Sequence, residues 1–184
     1  YEELALRFAE RGYEAVAIDY FGRTAGTGKR DEEFEWRPHV DQTTPEGVQA
    51  DVAAAVAYLR SPEGGSCSSI FTIGFCFGGS NSWNAAAGGH GLAGAVGFYG
   101  RPSRVEDVGR IAAPILALQA GDDAGIPRED SEAFDRALTD AGVEHELVIY
   151  EGAPHSFFDR KYDDFADAAA DAWKRTLGFI ANYS

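Results

Sequence analysis

Three kinds of side chain able to perform acyl-transfer chemistry each follow an apolar run of this chain. Cys76 lies in IGFCFGGS, between Phe75 and Phe77, with Gly74 two residues before it and Gly78 and Gly79 just beyond. Asp122 and Asp123 follow ILALQAG in the stretch QAGDDAGIP, and His155 follows ELVIY in EGAPHSFFDR. A thiolate attacks acyl carbon, an imidazole can take the thiol's proton and later deliver one to a leaving group, and a carboxylate can hold that imidazole in its working tautomer. The chain order is nucleophile, acid, histidine. Paired aspartates in a glycine-rich loop also form turns, so one of the two is expected to shape the loop and the other to meet the imidazole. His39, His90 and His145 lack such a setting and are read as solvated side chains.

These residues can act together only if the intervening elements bring them to one edge. SSIFTIGF is short, apolar and β-branched, and NSWNAAAGG is rich in small helix-compatible residues, so residues 68–89 predict strand, sharp turn and helix. The central residue of such a turn is strained, and its neighbours must be tiny where strand and helix backbones nearly touch, a task expected of Gly74 and Gly78. Cys76 then sits at a helix N-terminus, which favours its thiolate. Elsewhere, Leu4, Leu6, Phe8 and Ala9 give a helix face stopped at Arg11-Gly12, YEAVAIDY reads as a buried strand, and residues 21–43 read as a long loop. A helix capped by Thr44, with Pro45 first, runs through VQADVAAAVAYLR, and a loop follows at 61–65. LAGAVGFYG, APILALQAG and ELVIYEG read as strands, with helices over 128–141 and over 162–181, where Phe165, Ala169, Trp173, Leu177 and Ile180 fall in register. Strands alternating with helices predict a mostly parallel sheet flanked by helices on both faces.

A chain of 184 residues, 45% hydrophobic, suits a single domain over residues 1–184. Its formal charge of -14 repels nucleic acid and anionic membranes, which leaves small molecules as partners. Cys67 and Cys76 are separated by eight residues with a strand between them, too far apart for a mutual disulfide, and no Cys/His spacing suggests zinc or another metal. No apolar run approaches a membrane span, and the chain is read as cytoplasmic, a monomer or small homo-oligomer. It opens on Tyr1 inside a helical pattern, which reads as an N-terminal truncation.

The turn at Cys76 resembles the G-x-S-x-G nucleophile elbow of the α/β-hydrolases, with cysteine in place of serine. More specifically, GFCFGG, AVGFYG, GDDAGIP and APHSFFDR resemble the dienelactone hydrolase family, in order and over nearly the whole chain. The resemblance implies an α/β-hydrolase-like fold whose N-terminal strands are missing from this chain. It also implies hydrolysis of a carboxylic ester or lactone, carboxymethylenebutenolidase-like, through a thioester and without metal or organic cofactor. The family's aspartate stands four residues before a proline, which selects Asp123, ahead of Pro127. Its oxyanion hole uses the backbone N–H of the residue after the nucleophile, here Phe77, plus a donor from an earlier loop that no residue here matches. Its carboxylate-binding arginine, in a D-x-[YF]-x-R pattern, falls on Arg23 within DYFGR. A second arginine is expected four positions after the histidine, where Asp159 stands, with Arg160 next to it. Phe21, Trp36, Phe77 and Tyr99 would either wall an apolar pocket around a small ring or belong to the core. The rival readings are hydrolysis of phosphoesters through the same thiol and a non-catalytic binding protein that keeps the fold. A glutamine amidotransferase is disfavoured, because that family has His-x-Glu and His155 is followed by Ser156 and Phe157.

Overall fold

The computed structural model describes residues 2–31 and 33–184. The chain divides into two compact units, Tyr1–Ser68 and Ser69–Ser184.

In the first unit, helix α1 (Glu2–Ala9) ends in a complete glycine stop. Gly12 takes φ +84°, its N–H donates to Ala9 O, and the N–H of Tyr13 reaches back to Phe8 O. The Phe8 and Tyr13 rings meet edge to face at 6.3 Å, the apolar contact that accompanies this cap. Phe8 is buried, whereas Leu6, expected on the same face, is 64% exposed. Residues 13–19 correct the expectation of a buried strand: they join no ladder, and Val16 is 42% exposed. YEAVAIDY has the residue types of a strand, but a strand also needs a neighbour for its N–H and C=O groups, and composition does not supply one. The loop at 21–43 contains two short helices, α2 (Gly22–Ala25) and α3 (Arg37–Asp41). Phe34 and His39 stack there at 5.1 Å with Phe21 beside both, so an apolar cluster orders a polar stretch. Helix α4 (Pro45–Arg60) starts as expected, with the Thr44 side chain accepting the Gly47 N–H at 3.1 Å.

The second unit is a four-stranded parallel sheet in the order β1 (Phe71–Phe75), β2 (Gly94–Phe98), β3 (Ile115–Ala120), β4 (His145–Tyr150). Helices α5 (Phe77–Ala87) and α6 (Arg128–Asp140) cover one face, where Trp83 packs on Phe134 at 4.8 Å. Helix α7 (Ala166–Tyr183) covers the other, where Phe179 meets Phe71 at 6.1 Å. Strand parity agrees: in β2, Gly94 lies under Phe179 and Gly97, three residues on, lies under Trp83. β2 and β3 are buried along their whole length, the pattern of central parallel strands. The last helix begins four residues later than expected, because residues 155–165 are consecutive turns. Within them the Lys161 N–H bonds Ser156 O, five residues back, and the Phe165 N–H is shared between the carbonyls of Lys161 and Tyr162. No helix among the described residues is long and apolar enough to cross a membrane.

Candidate active site

Parallel pairing decides where the chemistry collects. Phe75 pairs with Phe98 and Phe98 with Leu118, while β3 and β4 run on to the pair Ala120–Tyr150. The residues after the strands, Cys76, Tyr99, Gly121–Asp123 and the loop to His155, therefore leave one edge of the sheet side by side.

Cys76 occupies the turn between β1 and α5 with φ +54° and ψ -115°, a left-handed backbone that costs a non-glycine residue on the order of 1 to 3 kcal/mol. Its N–H is tied to Phe98 O at 3.0 Å, and its carbonyl starts the helix by accepting from Gly79. The glycine expectation is half right. A Cβ at Gly74 would lie 1.8 Å from Gly78 O, so no side chain fits there. Gly78 itself has open space, and the second obligatory glycine is Gly79, where a Cβ would stand 2.7 Å from Phe98 O. Helix α5 turns Gly79, not Gly78, onto the end of β2. Gly74→Ala is accordingly expected to cost about 3 kcal/mol or more in urea unfolding, and Gly78→Ala under about 1 kcal/mol. Equal losses at both positions would contradict the close approach of strand and helix.

The Cys76 side chain is exposed, whereas Cys67 sits partly buried with its thiol on Gly64 O at 3.6 Å; both are free. The Cys76 thiol is held below its ordinary value, first by a hydrogen bond to His155 and further by the imidazolium charge and the Phe77 N–H, against a contrary effect of burial. His155 is correspondingly pushed up to about 9, chiefly by the bond to Cys76, with Asp123 adding to it and burial opposing. Its Nδ1 lies 2.6 Å from Asp123 Oδ2, which leaves Nε2 for the sulfur. The Asp123 carboxylate is 3% exposed, and its Oδ1 accepts the Gly125 N–H at 2.8 Å. Asp122 is exposed and contributes a backbone bond, from its N–H to Ala153 O. One aspartate turns the loop and orients the ring, and its neighbour faces water. The carboxylate is thus hydrogen-bonded to one side of the imidazole, and the thiol is its electrostatic partner on the other.

The remaining candidates fare unequally. The Phe77 N–H points at the sulfur, where it could also serve a developing oxyanion, and the Phe77 ring lies under Arg104 at 5.7 Å. Tyr99, expected as a pocket wall, is fully buried, and its ring centroid lies 4.8 Å from that of His155. Arg160 is exposed among the turns after His155. In the first unit the Arg23 guanidinium pairs with Asp51 at 2.6 Å, so the carboxylate it grips is the chain's own. Phe21 belongs to the cluster with Phe34 and His39, and Trp36 is 46% exposed beside the Arg37 guanidinium. No group of three or more His, Cys, Asp or Glu side chains among the described residues could hold a metal ion.

Two supporting residues were not singled out from the sequence. Buried Ser80 accepts the Arg101 N–H at 2.9 Å and donates to Arg101 O at 3.1 Å, fastening α5 to the segment after β2. Gln119, buried in β3, donates to Gly100 O at 2.9 Å and to Ser131 at 3.0 Å, fastening the same segment from the other side. A glutamine inside the apolar run ILALQAG is a legible signal, since a buried amide must find partners.

Iodoacetamide is expected to modify Cys76 well ahead of Cys67, as peptide mass spectrometry after partial labelling would show. The reaction should persist well below the ordinary thiol range of about 8.5, because the thiol is depressed. Faster loss of Cys67 would contradict the assigned environments.

Comparison with known proteins places the chain among its relatives. A Yersinia pestis protein named "Putative carboxymethylenebutenolidase" is 28% identical over 99% of this chain and 72% of its own length. Against several other relatives of that name the chain spans about half their length. A crystal structure described as a "Putative Dienelactone Hydrolase", from Klebsiella pneumoniae, superposes with TM-score 0.86 at 27% identity, covering 98% of this chain and 80% of that one. The dienelactone hydrolase-like promiscuous phosphotriesterase P91, from metagenomic libraries, superposes with TM-score 0.80 at 25% identity, covering 99% and 80%. The sheet, the helices on its faces and these likenesses make the fold α/β-hydrolase-like. The family profile of the dienelactone hydrolases matches residues 1–184, and the chain belongs to the dienelactone hydrolase family.

Proposed function

We propose that this protein hydrolyses carboxylic esters or lactones through a thioester on Cys76. The observation that carries the reading is the strained elbow that sets Cys76 beside His155, whose other ring nitrogen is bonded to the buried Asp123 carboxylate at 2.6 Å. The Cys76 thiolate adds to the acyl carbon, and the carbonyl π electrons move onto oxygen beside the Phe77 N–H. As that oxyanion collapses, the bond to the leaving oxygen breaks and His155 hands it a proton. A water then gives its proton to His155 and adds to the thioester, releasing the acid and returning the thiol. Asp123 stays ionised and keeps the imidazole's Nδ1 protonated and Nε2 toward the sulfur. Neither metal nor organic cofactor enters these steps.

A second reading, cleavage of phosphotriesters by the same thiol, is favoured by the likeness to P91, itself described as a promiscuous phosphotriesterase. A panel of aryl esters, enol lactones and aryl phosphotriesters, assayed with the full-length protein, separates the two. Ester or lactone specificity constants far above those for phosphotriesters are expected, and the reverse ranking would move the second reading to first place.

A further inference from the structure

We propose that Tyr99 is a positioning residue whose buried ring stabilises the protonated form of the adjacent His155, a role that rests on reading His155 as the proton acceptor for Cys76. Tyr99 is the first residue after β2, anchored by its N–H to Leu118 O at 2.8 Å. Its φ is +35°, a conformation that bulky residues rarely adopt and that persists only where the surroundings over-determine it. Among the described residues of the second unit, the non-glycine residues with positive φ are Cys76, Tyr99 and Ser156. They are the thiol-bearing residue, the residue whose ring adjoins the imidazole, and the residue directly after His155. Backbone strain is thus gathered around one proton-transfer pair.

The imidazole and phenol centroids are 4.8 Å apart with planes tilted by 54°, inside the range over which an aromatic ring attracts a cation. Phe157 meets Tyr99 edge to face at 5.6 Å and Phe75 lies at 6.2 Å, so the ring is fixed on its far side and closed to water. The charged and titratable groups facing His155 are Cys76, from the start of α5, and Asp123, from the loop after β3. Both favour imidazolium through charge and hydrogen bonding, and Tyr99 adds a third, uncharged contribution. An aliphatic side chain of similar bulk would hold the imidazole as well by shape, but only π electrons prefer its charged form. The ring's electrons must therefore be varied at constant shape.

The test is an NMR titration of the His155 ring in the full-length protein, wild type beside Tyr99→Phe and a variant with 3,4,5-trifluorophenylalanine at that position. Cys76 alkylation by iodoacetamide is followed against pH on the same samples. The wild-type imidazole is expected to titrate near 9. Tyr99→Phe should leave it nearly in place, and the fluorinated ring should lower it by about 0.5 to 1 unit, with the upper limb of the alkylation profile moving in step. Identical titrations for all three rings would overturn the proposal and leave Tyr99 a packing residue, with the thiol–imidazole coupling intact. A wild-type imidazole that titrates without any echo in Cys76 alkylation would overturn the proposal by removing the pair on which it rests. Near-isosteric rings keep the fold, and circular dichroism verifies it.

Discussion

Cys76→Ala is expected to lower ester and lactone turnover by on the order of 100,000-fold, to a level near that of buffer. Without the sulfur no covalent intermediate can form, and His155 loses the group whose proton it takes. The oxyanion contact at the Phe77 N–H survives, so a small residual rate above water is consistent with the mechanism. Loss of fold should not confuse the result. The thiol is exposed, and alanine at φ +54° bears the same backbone strain that cysteine already bears. An unchanged melting temperature with turnover lost is the expected pair of readings. Turnover kept within a few fold would move the nucleophile elsewhere.

Asp123→Asn should cut turnover by roughly 1000- to 10,000-fold, and Asp122→Asn by no more than a few fold. The contrast follows from placement. Asp123 Oδ2 sits 2.6 Å from Nδ1, and the carboxylate is almost wholly buried, while Asp122 is exposed. An asparagine amide can present its N–H₂ to the ring, which drives the imidazole proton to Nε2 and leaves no lone pair for the thiol. The negative charge that favours imidazolium disappears as well, so His155 should titrate below its wild-type position near 9. The thiolate–imidazolium pair is then populated over a narrower pH range, closing from the alkaline side. The measurement is the pH profile of the specificity constant for both variants. Effects in the opposite order would mean that the loop holds the imidazole through the other aspartate.

The elbow, the aspartate loop and the histidine loop were legible because each combines a short apolar strand with a chemically distinctive residue directly after it. Parallel pairing does the rest, by aligning the strand ends. Asp123 could be told from Asp122 only by the spacing to Pro127, since either could turn the loop, and the contact to His155 crosses 32 positions of sequence. Residues 13–19 show the opposite limit: strand-forming composition was present, but pairing depends on what lies alongside. Gly79 was passed over for Gly78 because the relevant distance runs to Phe98 O on the neighbouring strand. Arg23 looked available in the sequence because Asp51, 28 positions away on α4, gives no local sign of claiming it. Tyr99 was assigned to a pocket on its residue type, and only its burial and its unusual φ turn the ring toward His155.

The most direct test of the thioester mechanism is a rapid-quench experiment with an aryl ester in excess over the full-length protein, followed by acid trapping and peptide mass spectrometry. A burst of phenol equal to one per protein is expected, with the acyl group recovered on the peptide that contains Cys76. It should be labile to hydroxylamine, as thioesters are, and neither burst nor adduct should appear in Cys76→Ala. An acyl group recovered on another residue, or a burst undiminished in that variant, would contradict the assignment of Cys76 as the nucleophile.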